Sequence, residues 1–313
     1  MTSQKRIAIL IPCLNEEITI AQVVKNFQRT CPSAQVYVFD NCSTDKTSEA
    51  ARQAGATVVY SPKPGKGNTV IHMFDVVDAD IYVMTDGDST YPAEALPGLL
   101  DVFEKSSVDM VVGSRLSRFS TGAFRKFHYF GNTMLAKTIS YAFGAQLTDI
   151  LSGYRIFSRR LVKSLPLKST GFEIETELTL QTLAKGFKIR EAPIDYGARP
   201  AGSFSKLNTW RDGRIVLTAL FLIFKDFRPL IFFSALGIFL AILSFACGIL
   251  PIADYLRERY VYHVPLAILA MGFGILSAMS FVVGMILNTI VQFHQENFIL
   301  FQKLLNTPNK PPS

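Results

Sequence analysis

The sequence is poor in the residues that staple small folds or hold structural metals. Its four cysteines, Cys13, Cys31, Cys42 and Cys247, share no metal or redox spacing, which argues against a disulfide scaffold and for a reducing compartment. The four histidines, His72, His128, His263 and His294, form no ligand spacing and read as structural or interfacial groups. Neither Gly-x-Gly-x-x-Gly nor Gly-x-x-x-x-Gly-Lys-Ser/Thr occurs, so dinucleotide-fingerprint and P-loop readings both fail. No signal peptide is expected, because the first apolar stretch, Ile7 to Ile11, is short and runs straight into Asn15, Glu16 and Glu17. Charge is also scarce. Only 18% of residues are charged while 49% are apolar, with a mean hydropathy of +0.25, too oily for an ordinary soluble enzyme and too charged for a multi-pass channel.

The apolar excess is confined to the C-terminal part. Two windows, residues 229–253 and 264–291, contain no Asp, Glu, Lys or Arg. At about 1.5 Å per helical residue each exceeds a hydrocarbon core of about 30 Å, so both read as membrane spans joined by a short connector, 254–263. Basic residues set the orientation: Arg211, Arg214, Lys225 and Arg228 precede the first span and Lys303 and Lys310 follow the second, against Arg257 and Arg259 in the connector. This bias predicts a cytoplasmic N-terminal part and both termini cytoplasmic. Ala270, Gly274 and Ala278 place a small residue every four positions, a spacing that lets helices approach closely. Residues 208–228 include the apolar run Ile215 to Phe224 between basic residues and are expected to lie as a juxtamembrane interfacial helix, with Trp210 at the headgroup layer. The net charge of +7 is concentrated there: residues 199–228 carry six basic and two acidic groups. That pattern favours a lipid bilayer over nucleic acid as partner. The expected division is therefore a catalytic domain at 1–207, the interfacial helix at 208–228, two spans within 229–292 and a cytoplasmic tail at 293–313.

In the N-terminal part, strand-like runs at Arg6–Ile11, Gln35–Asp40, Thr57–Tyr60, Asp80–Thr85 and Asp109–Gly113 alternate with helical patterns at Ile18–Arg29, Thr44–Ala54, Asn68–Val77 and Ala93–Lys105. Alternation of this kind predicts an α/β fold, Rossmann-like with a mainly parallel sheet, and places ligands at the carboxyl ends of the strands. Four polar loops follow strands: Pro12-Cys13-Leu14-Asn15-Glu16-Glu17, Asp40-Asn41-Cys42-Ser43-Thr44-Asp45, Pro64-Gly65-Lys66-Gly67-Asn68 and Asp86-Gly87-Asp88-Ser89-Thr90. Asp40 and Asp45 also suit simple turn and helix caps. The pair Asp86 and Asp88 is different, because two acids one residue apart repel unless a cation joins them. Hard oxygen ligands around a glycine, Gly87, suit Mg²⁺ or Mn²⁺ held against a diphosphate.

Pro12-x-Leu14-Asn15-Glu16, Asp40-Asn-Cys-Ser43-Thr-Asp45, Gly65-Lys66-Gly67 and Asp86-x-Asp88, in this order, resemble the family-two glycosyltransferases with a GT-A fold. Gly113-Ser114-Arg115, Asp149-Ile-Leu-Ser152-Gly153-Tyr154-Arg155, Gly171-Phe172-Glu173-Ile-Glu175 and the stretch from Arg199 through Ser203, Ser205 and Lys206 narrow the likeness to the polyprenyl-phosphate glycosyltransferases, the group that includes dolichyl-phosphate mannose synthase, and to its branch with a two-helix C-terminal anchor. The resemblance implies that Pro12, Leu14, Asn15, Glu16 and Asp40 line the nucleoside pocket. Lys66 would approach the base or diphosphate, and Asp86, Gly87 and Asp88 would meet the diphosphate and its Mg²⁺ or Mn²⁺. The family often places Gln two residues after the second acid; Thr90 stands here, which leaves a third metal contact open.

The implied reaction is a single inverting transfer of sugar from a nucleotide sugar to polyprenyl phosphate. Asp149 occupies the position of a proposed catalytic base, with an orienting role toward Arg155 or the metal shell as the alternative. Arg155, Arg199, Ser203, Ser205 and Lys206 are the acceptor-phosphate candidates, with Arg125 and Lys126 behind them, since Arg and hydroxyl groups suit phosphate. Glu173 and Glu175 are candidates for the sugar, or are acids stabilising a helix N-terminus. The Asp86-to-Pro92 stretch resembles branches using UDP-sugars such as UDP-glucose or UDP-GlcNAc, with GDP-mannose the alternative. The resemblance also implies a homo-oligomer, a tetramer by analogy. The absence of an Arg-Trp pair argues against a processive synthase. Two further readings are a transferase acting on another lipid or glycan, and an inactive membrane adaptor.

Overall fold

The structure, a computed structural model, describes residues 5–115, 126–171, 173–197, 221 and 223–306, with backbone only for 126–130, 223–224 and 302–306. The chain forms two compact units, Met1–Ala219 and Leu220–Ser313. Arg125, Arg199, Ser203, Ser205, Lys206, Trp210 and most of the expected interfacial helix lie outside the described residues. So does the Lys126 side chain.

In the first unit, β1 (Ile7–Cys13), β2 (Gln35–Asp40), β3 (Thr57–Tyr60), β4 (Ile81–Met84), β5 (Met110–Ser114), β6 (Arg155–Ser158) and β7 (Ile189–Pro193) make one sheet in the order β3-β2-β1-β4-β6-β5-β7. β6 runs antiparallel to β4 and β5, and the other pairings are parallel. The first four helices are α1 (Ile20–Thr30), α2 (Thr47–Gln53), α3 (Lys66–Val76) and α4 (Leu96–Lys105). After β5 come α5 (Lys126–Phe143), α6 (Arg159–Val162) and α7 (Ile174–Ala184). Every residue of β4 is buried, as expected of a strand covered on both faces. α1 turns Ile20, Val23, Val24 and Phe27 inward, the i, i+3, i+4, i+7 stripe of a surface helix.

The sheet order reverses between β1 and β4. Such a reversal is the usual place for a ligand crevice in open α/β sheets, at the carboxyl ends of the strands. The loops after β1 and β4 touch: Thr19 Oγ1 donates to the Gly87 carbonyl at 2.7 Å, and a Cβ on Gly87 would come within 2.6 Å of Cys13 Sγ.

α3 begins two residues earlier than the pattern suggested, so Lys66 and Gly67 stand in its first turn rather than in a free loop. The backbone at 65–67 is pressed against the segment before α7. Gly67 N–H donates to the Thr170 carbonyl at 3.1 Å. A Cβ on Gly67 would collide with the Ser169 carbonyl, and Gly65 sits at φ +117°, a conformation that glycine tolerates best.

In the second unit, α8 (Pro229–Glu258) and α9 (Val264–Asn306) form an antiparallel pair. Both are long and apolar enough to cross a membrane. Large apolar side chains such as Ile242, Phe245, Met271 and Met279 face outward. Between the helices, Ser244 Oγ donates to the Ala270 carbonyl at 2.6 Å, Ser277 Oγ to Gly237 at 2.7 Å and Ser280 Oγ to Phe233 at 3.0 Å. Ala270 and Gly274 face α8, but Ala278 is exposed, and Ser277 takes the next inward place. A strict four-residue repeat drifts around a 3.6-residue helix. The connector is closed by Asp254, whose carboxylate accepts from the backbone N–H of Tyr262 (3.1 Å) and His263 (3.2 Å) and from His263 Nδ1 (2.7 Å). α9 continues through Asn306, so residues 293–306 of the expected tail are helix.

Two glycine substitutions test the close packing around α3. Gly67→Ala is expected to destabilise the fold by about 1–3 kcal/mol through overpacking. Gly98→Ala, in open space within α4, is expected to stabilise it by about 0.5–1 kcal/mol. Thermal denaturation of both detergent-solubilised variants reads the contrast, and equal shifts would contradict it.

Candidate active site

The loops after β1 and β2 are sewn together mainly through backbone groups. Asn15, at φ +53°, accepts from Thr44 N–H at 2.8 Å, and its own N–H donates to Ser43 Oγ at 3.0 Å. Glu16 N–H donates to Thr47 Oγ1 at 2.8 Å. Asp45 Oδ1 accepts from the Thr47 N–H and hydroxyl at the start of α2. Asp40 ends β2 beside Cys13 of β1 and Tyr60 of β3. Its oxygens accept from Ser43 N–H at 2.9 Å and from Ser48 Oγ, so Asp40 shapes its own loop as a turn cap does. Asn41 in turn accepts from Gly65 N–H at 2.7 Å and donates to the Lys63 carbonyl at 2.7 Å, which fixes the approach to α3. Pro12 and Leu14 are half-buried at the same strand ends.

A cation sits at the end of β4. Lys66 Nζ lies 2.6 Å from Asp86 Oδ1 and 2.6 Å from Glu175 Oε1, with its side chain only 13% exposed. Burial opposes the ammonium charge, but the two carboxylates outweigh it and hold Lys66 protonated, its pKa raised above the ordinary lysine value. Asp88 is buried, and its Oδ1 accepts from Thr90 N–H (3.1 Å) and the Thr90 hydroxyl (2.5 Å). Gly153 backs Asp86: a Cβ there would approach Asp86 Oδ2 to 2.9 Å.

A second buried pair stands at the end of β5. Arg115 donates to Asp149 through Nε (2.8 Å), Nη2 (2.8 Å) and its backbone N–H (3.0 Å). Asn132 Nδ2 adds a contact at 3.3 Å, and the guanidinium lies 5.4 Å from the centre of the Tyr196 ring. Burial raises the Asp149 carboxyl, but Arg115 more than compensates and holds it below the usual carboxylate value. Glu191 of β7 pins this loop, accepting from the backbone N–H groups of Thr148 and Asp149 at 2.8 and 2.9 Å.

The likeness to known proteins covers the same ground. A family model described as Glycosyl transferase family 2 matches residues 8–165. The chain belongs to that family. It is 33% identical over 309 residues to glycosyltransferase AglJ of Haloferax volcanii, covering 97% of this chain and 100% of that one. It is 30% identical over 211 residues to the dolichyl-phosphate hexose transferase of the same organism, covering 67% and 90%. Among solved structures, glucosyl-3-phosphoglycerate synthase from Mycobacterium tuberculosis, in complex with Mn²⁺, UDP and glucosyl-3-phosphoglycerate, superposes with a TM-score of 0.58 at 22% identity, covering 71% of this chain and 80% of that one. The fold is thus the GT-A type expected from the motifs.

Within this family-two glycosyltransferase, several candidate residues are engaged by other parts of the protein. Arg155, a candidate for the acceptor phosphate, is fully buried and donates to the carbonyls of Ile150 and Ser152 and to Thr179 Oγ1. Burial pushes its pKa down to about 10. Asp149 is hydrogen-bonded to Arg115. Glu175 is buried and shares Lys66 with Asp86. Glu173 accepts from Gly171 N–H at 3.0 Å, and Glu177 accepts from Lys168 and Ser169 N–H, so these acids organise the turn before α7. Arg115 and Tyr91, whose hydroxyl accepts from Gly153 N–H at 2.8 Å, lie within stretches singled out in the sequence, whereas Asn132 and Glu191 carry no sequence signal.

Among the described residues no group of three or more His, Cys, Asp or Glu gathers as a metal holder. Asp86 and Asp88 still fit Mg²⁺ or Mn²⁺, because such ions commonly take one or two carboxylates and complete their shell with substrate phosphates and water.

The Arg115–Asp149 pair sets a pH dependence. Because the folded Asp149 pKa is below 3.8, its stabilisation is complete above the unfolded value and is lost as pH falls through the folded one. Asp149→Asn leaves Arg115 without its counter-charge and is expected to cost about 3–5 kcal/mol at neutral pH. The variant should show a shallower acid limb in denaturation midpoint against pH; an unchanged limb would contradict the pairing.

Proposed function

We propose that the chain transfers one sugar from a nucleotide sugar, a UDP-sugar first among candidates, to a polyprenyl phosphate with inversion at the anomeric carbon. The observation that carries this reading is the acidic pair Asp86 and Asp88 at the β1/β4 crevice, in a chain that also holds two membrane-length apolar helices. The dolichyl-phosphate hexose transferase relative supports the acceptor class, and the neighbour in complex with Mn²⁺ and UDP supports the donor and metal. The catalytic unit and both termini lie on the cytoplasmic side, by the basic bias of the span flanks, and copies assemble as a homo-oligomer.

Pro12, Leu14, Asn15, Glu16 and Asp40 receive the nucleoside, and Lys66, Asp86, Gly87 and Asp88 receive the diphosphate. Asp86 and Asp88 would hold a divalent ion there, which would neutralise charge on the departing diphosphate. A phosphomonoester has a second pKa of about 6 and is mostly a dianion at neutral pH, so the acceptor needs placement more than deprotonation. A phosphate oxygen forms the new bond to the anomeric carbon as the old carbon–oxygen bond breaks, and its electron pair leaves with the nucleoside diphosphate. Asp149, committed to Arg115, acts by holding that guanidinium beside the crevice loops rather than as a base. Arg199, Ser203, Ser205, Lys206 and Arg125 remain the acceptor-phosphate candidates.

Asp88→Ala is expected to abolish metal-dependent transfer, a loss of at least a hundredfold, while membrane insertion stays intact. The assay offers radiolabelled nucleotide sugars with undecaprenyl or dolichyl phosphate, with and without Mn²⁺, and counts organic-extractable label. Undiminished turnover in the variant would overturn the site. Label absent for every donor, together with no thermal shift from UDP plus Mn²⁺, would favour a binding-only adaptor.

A further inference from the structure

The Lys66 ammonium does what a metal ion would do at Asp86. It sits 2.6 Å from Oδ1, is shielded from water, and is held from the far side by Glu175 at the same distance. Its position is not that of a loosely draped side chain. Lys66 opens α3, the flanking glycines are clamped by the backbone of Ser169 and Thr170, and Glu177 and Glu173 hold that clamp by accepting from backbone N–H groups of 168–171. Glu175, two residues after Glu173 in the same turn, is therefore carried on the structure that fixes Lys66. We propose that Glu175 is a positioning residue that holds Lys66 on Asp86 as a stand-in cation, so that a divalent metal enters only with a nucleotide diphosphate, whose charge draws Lys66 off Asp86. This rests on the metal-dependent reading of the site given above.

The consequence is ordered loading. A metal ion alone must compete with a tethered, desolvated ammonium for one Asp86 oxygen. A diphosphate offers Lys66 another anionic partner, which removes the competition while Glu175 keeps the side chain at the crevice.

The test is Mn²⁺ binding to the full-length chain in detergent, followed by loss of the free-ion electron paramagnetic resonance signal, with and without UDP. The wild type should bind Mn²⁺ at least tenfold more tightly with UDP than without. Lys66→Met should bind Mn²⁺ alone at least tenfold more tightly than the wild type and lose most of the UDP dependence. Lys66→Met combined with Glu175→Gln restores the net charge of the cluster while leaving Asp86 uncovered, and it is the more conservative change for folding. It should also bind Mn²⁺ alone at least tenfold more tightly. Glu175→Gln by itself should weaken Mn²⁺–UDP binding severalfold with a melting temperature close to that of the wild type. Tightening in the single Lys66 variant but not in the double variant would mean that bulk charge alone is responsible and would overturn the proposal. So would unchanged Mn²⁺ affinity in both, with UDP-dependent binding intact. No Mn²⁺ binding by any form, with or without UDP, would bring down the metal-site reading and this proposal with it.

Discussion

A buried ammonium shared by two carboxylates ties together three parts of the catalytic unit that are distant in sequence: the start of α3, the loop after β4 and the first turn of α7. Desolvating such a cluster is expensive, and ion pairs of this kind seldom add net stability over an apolar core. Removing the shared cation is far more costly, because it strands two carboxylates, whereas removing Glu175 leaves Lys66 paired with Asp86. The arrangement is therefore best understood as a constraint on position. With Lys66 in place, Gly65 and Gly67 must accept the backbone of 169–170, Asp86 must turn toward α3, and Gly153 must lack a side chain where Asp86 Oδ2 lies. The crevice at the β1/β4 reversal takes its shape from these conditions.

The second ion pair follows a different logic. Arg115 and Asp149 satisfy one another in a bidentate contact, and the neighbouring groups complete the network: Asn132 from α5, Glu191 from β7 and the ring of Tyr196. A carboxylate with this many donors, held below its normal pKa, is a poor proton acceptor near neutrality. In the proposed reaction the acceptor arrives as a phosphate dianion and does not need one. An orienting role for Asp149 is the part of that proposal which its pairing with Arg115 supports.

Much of the first half of the fold was legible in the chain because each element carries its own signal. β1 to β5 are short apolar runs, and α1 to α4 fall between them with polar loops at the strand ends. β6 and β7 gave no comparable signal. β6 opens on Arg155, whose complete burial depends on the carbonyls of Ile150 and Ser152 and the hydroxyl of Thr179, partners that only the folded loop assembles. Arginine is almost never fully buried unless paired, so the spacing that suggested a phosphate role for Arg155 carried no sign of these internal partners. β7, Ile189-Arg-Glu-Ala-Pro, mixes charge into a strand beside β5. The motif residues are legible, but which of them pair is not: no spacing rule joins Lys66 to Glu175 or Asp149 to Arg115.

The C-terminal unit solves a separate physical problem. Polar groups within an apolar solvent must find their partners inside the structure, and Ser244, Ser277 and Ser280 each donate to a carbonyl of the facing helix. Small residues at the same seam, Gly237 against Phe281 and Gly284 against Phe233, allow the close approach that those bonds require. At the connector, one carboxylate, Asp254, satisfies two backbone N–H groups and the His263 ring where the chain reverses. The hairpin therefore satisfies these serine hydroxyls and the connector backbone internally and leaves its large apolar side chains facing outward. In the proposed reaction a water-soluble donor and a lipid-borne acceptor place opposite demands on one polypeptide. The chain carries an α/β unit and an apolar helical hairpin, which is why a scarcity of charge averaged over the whole sequence describes neither unit.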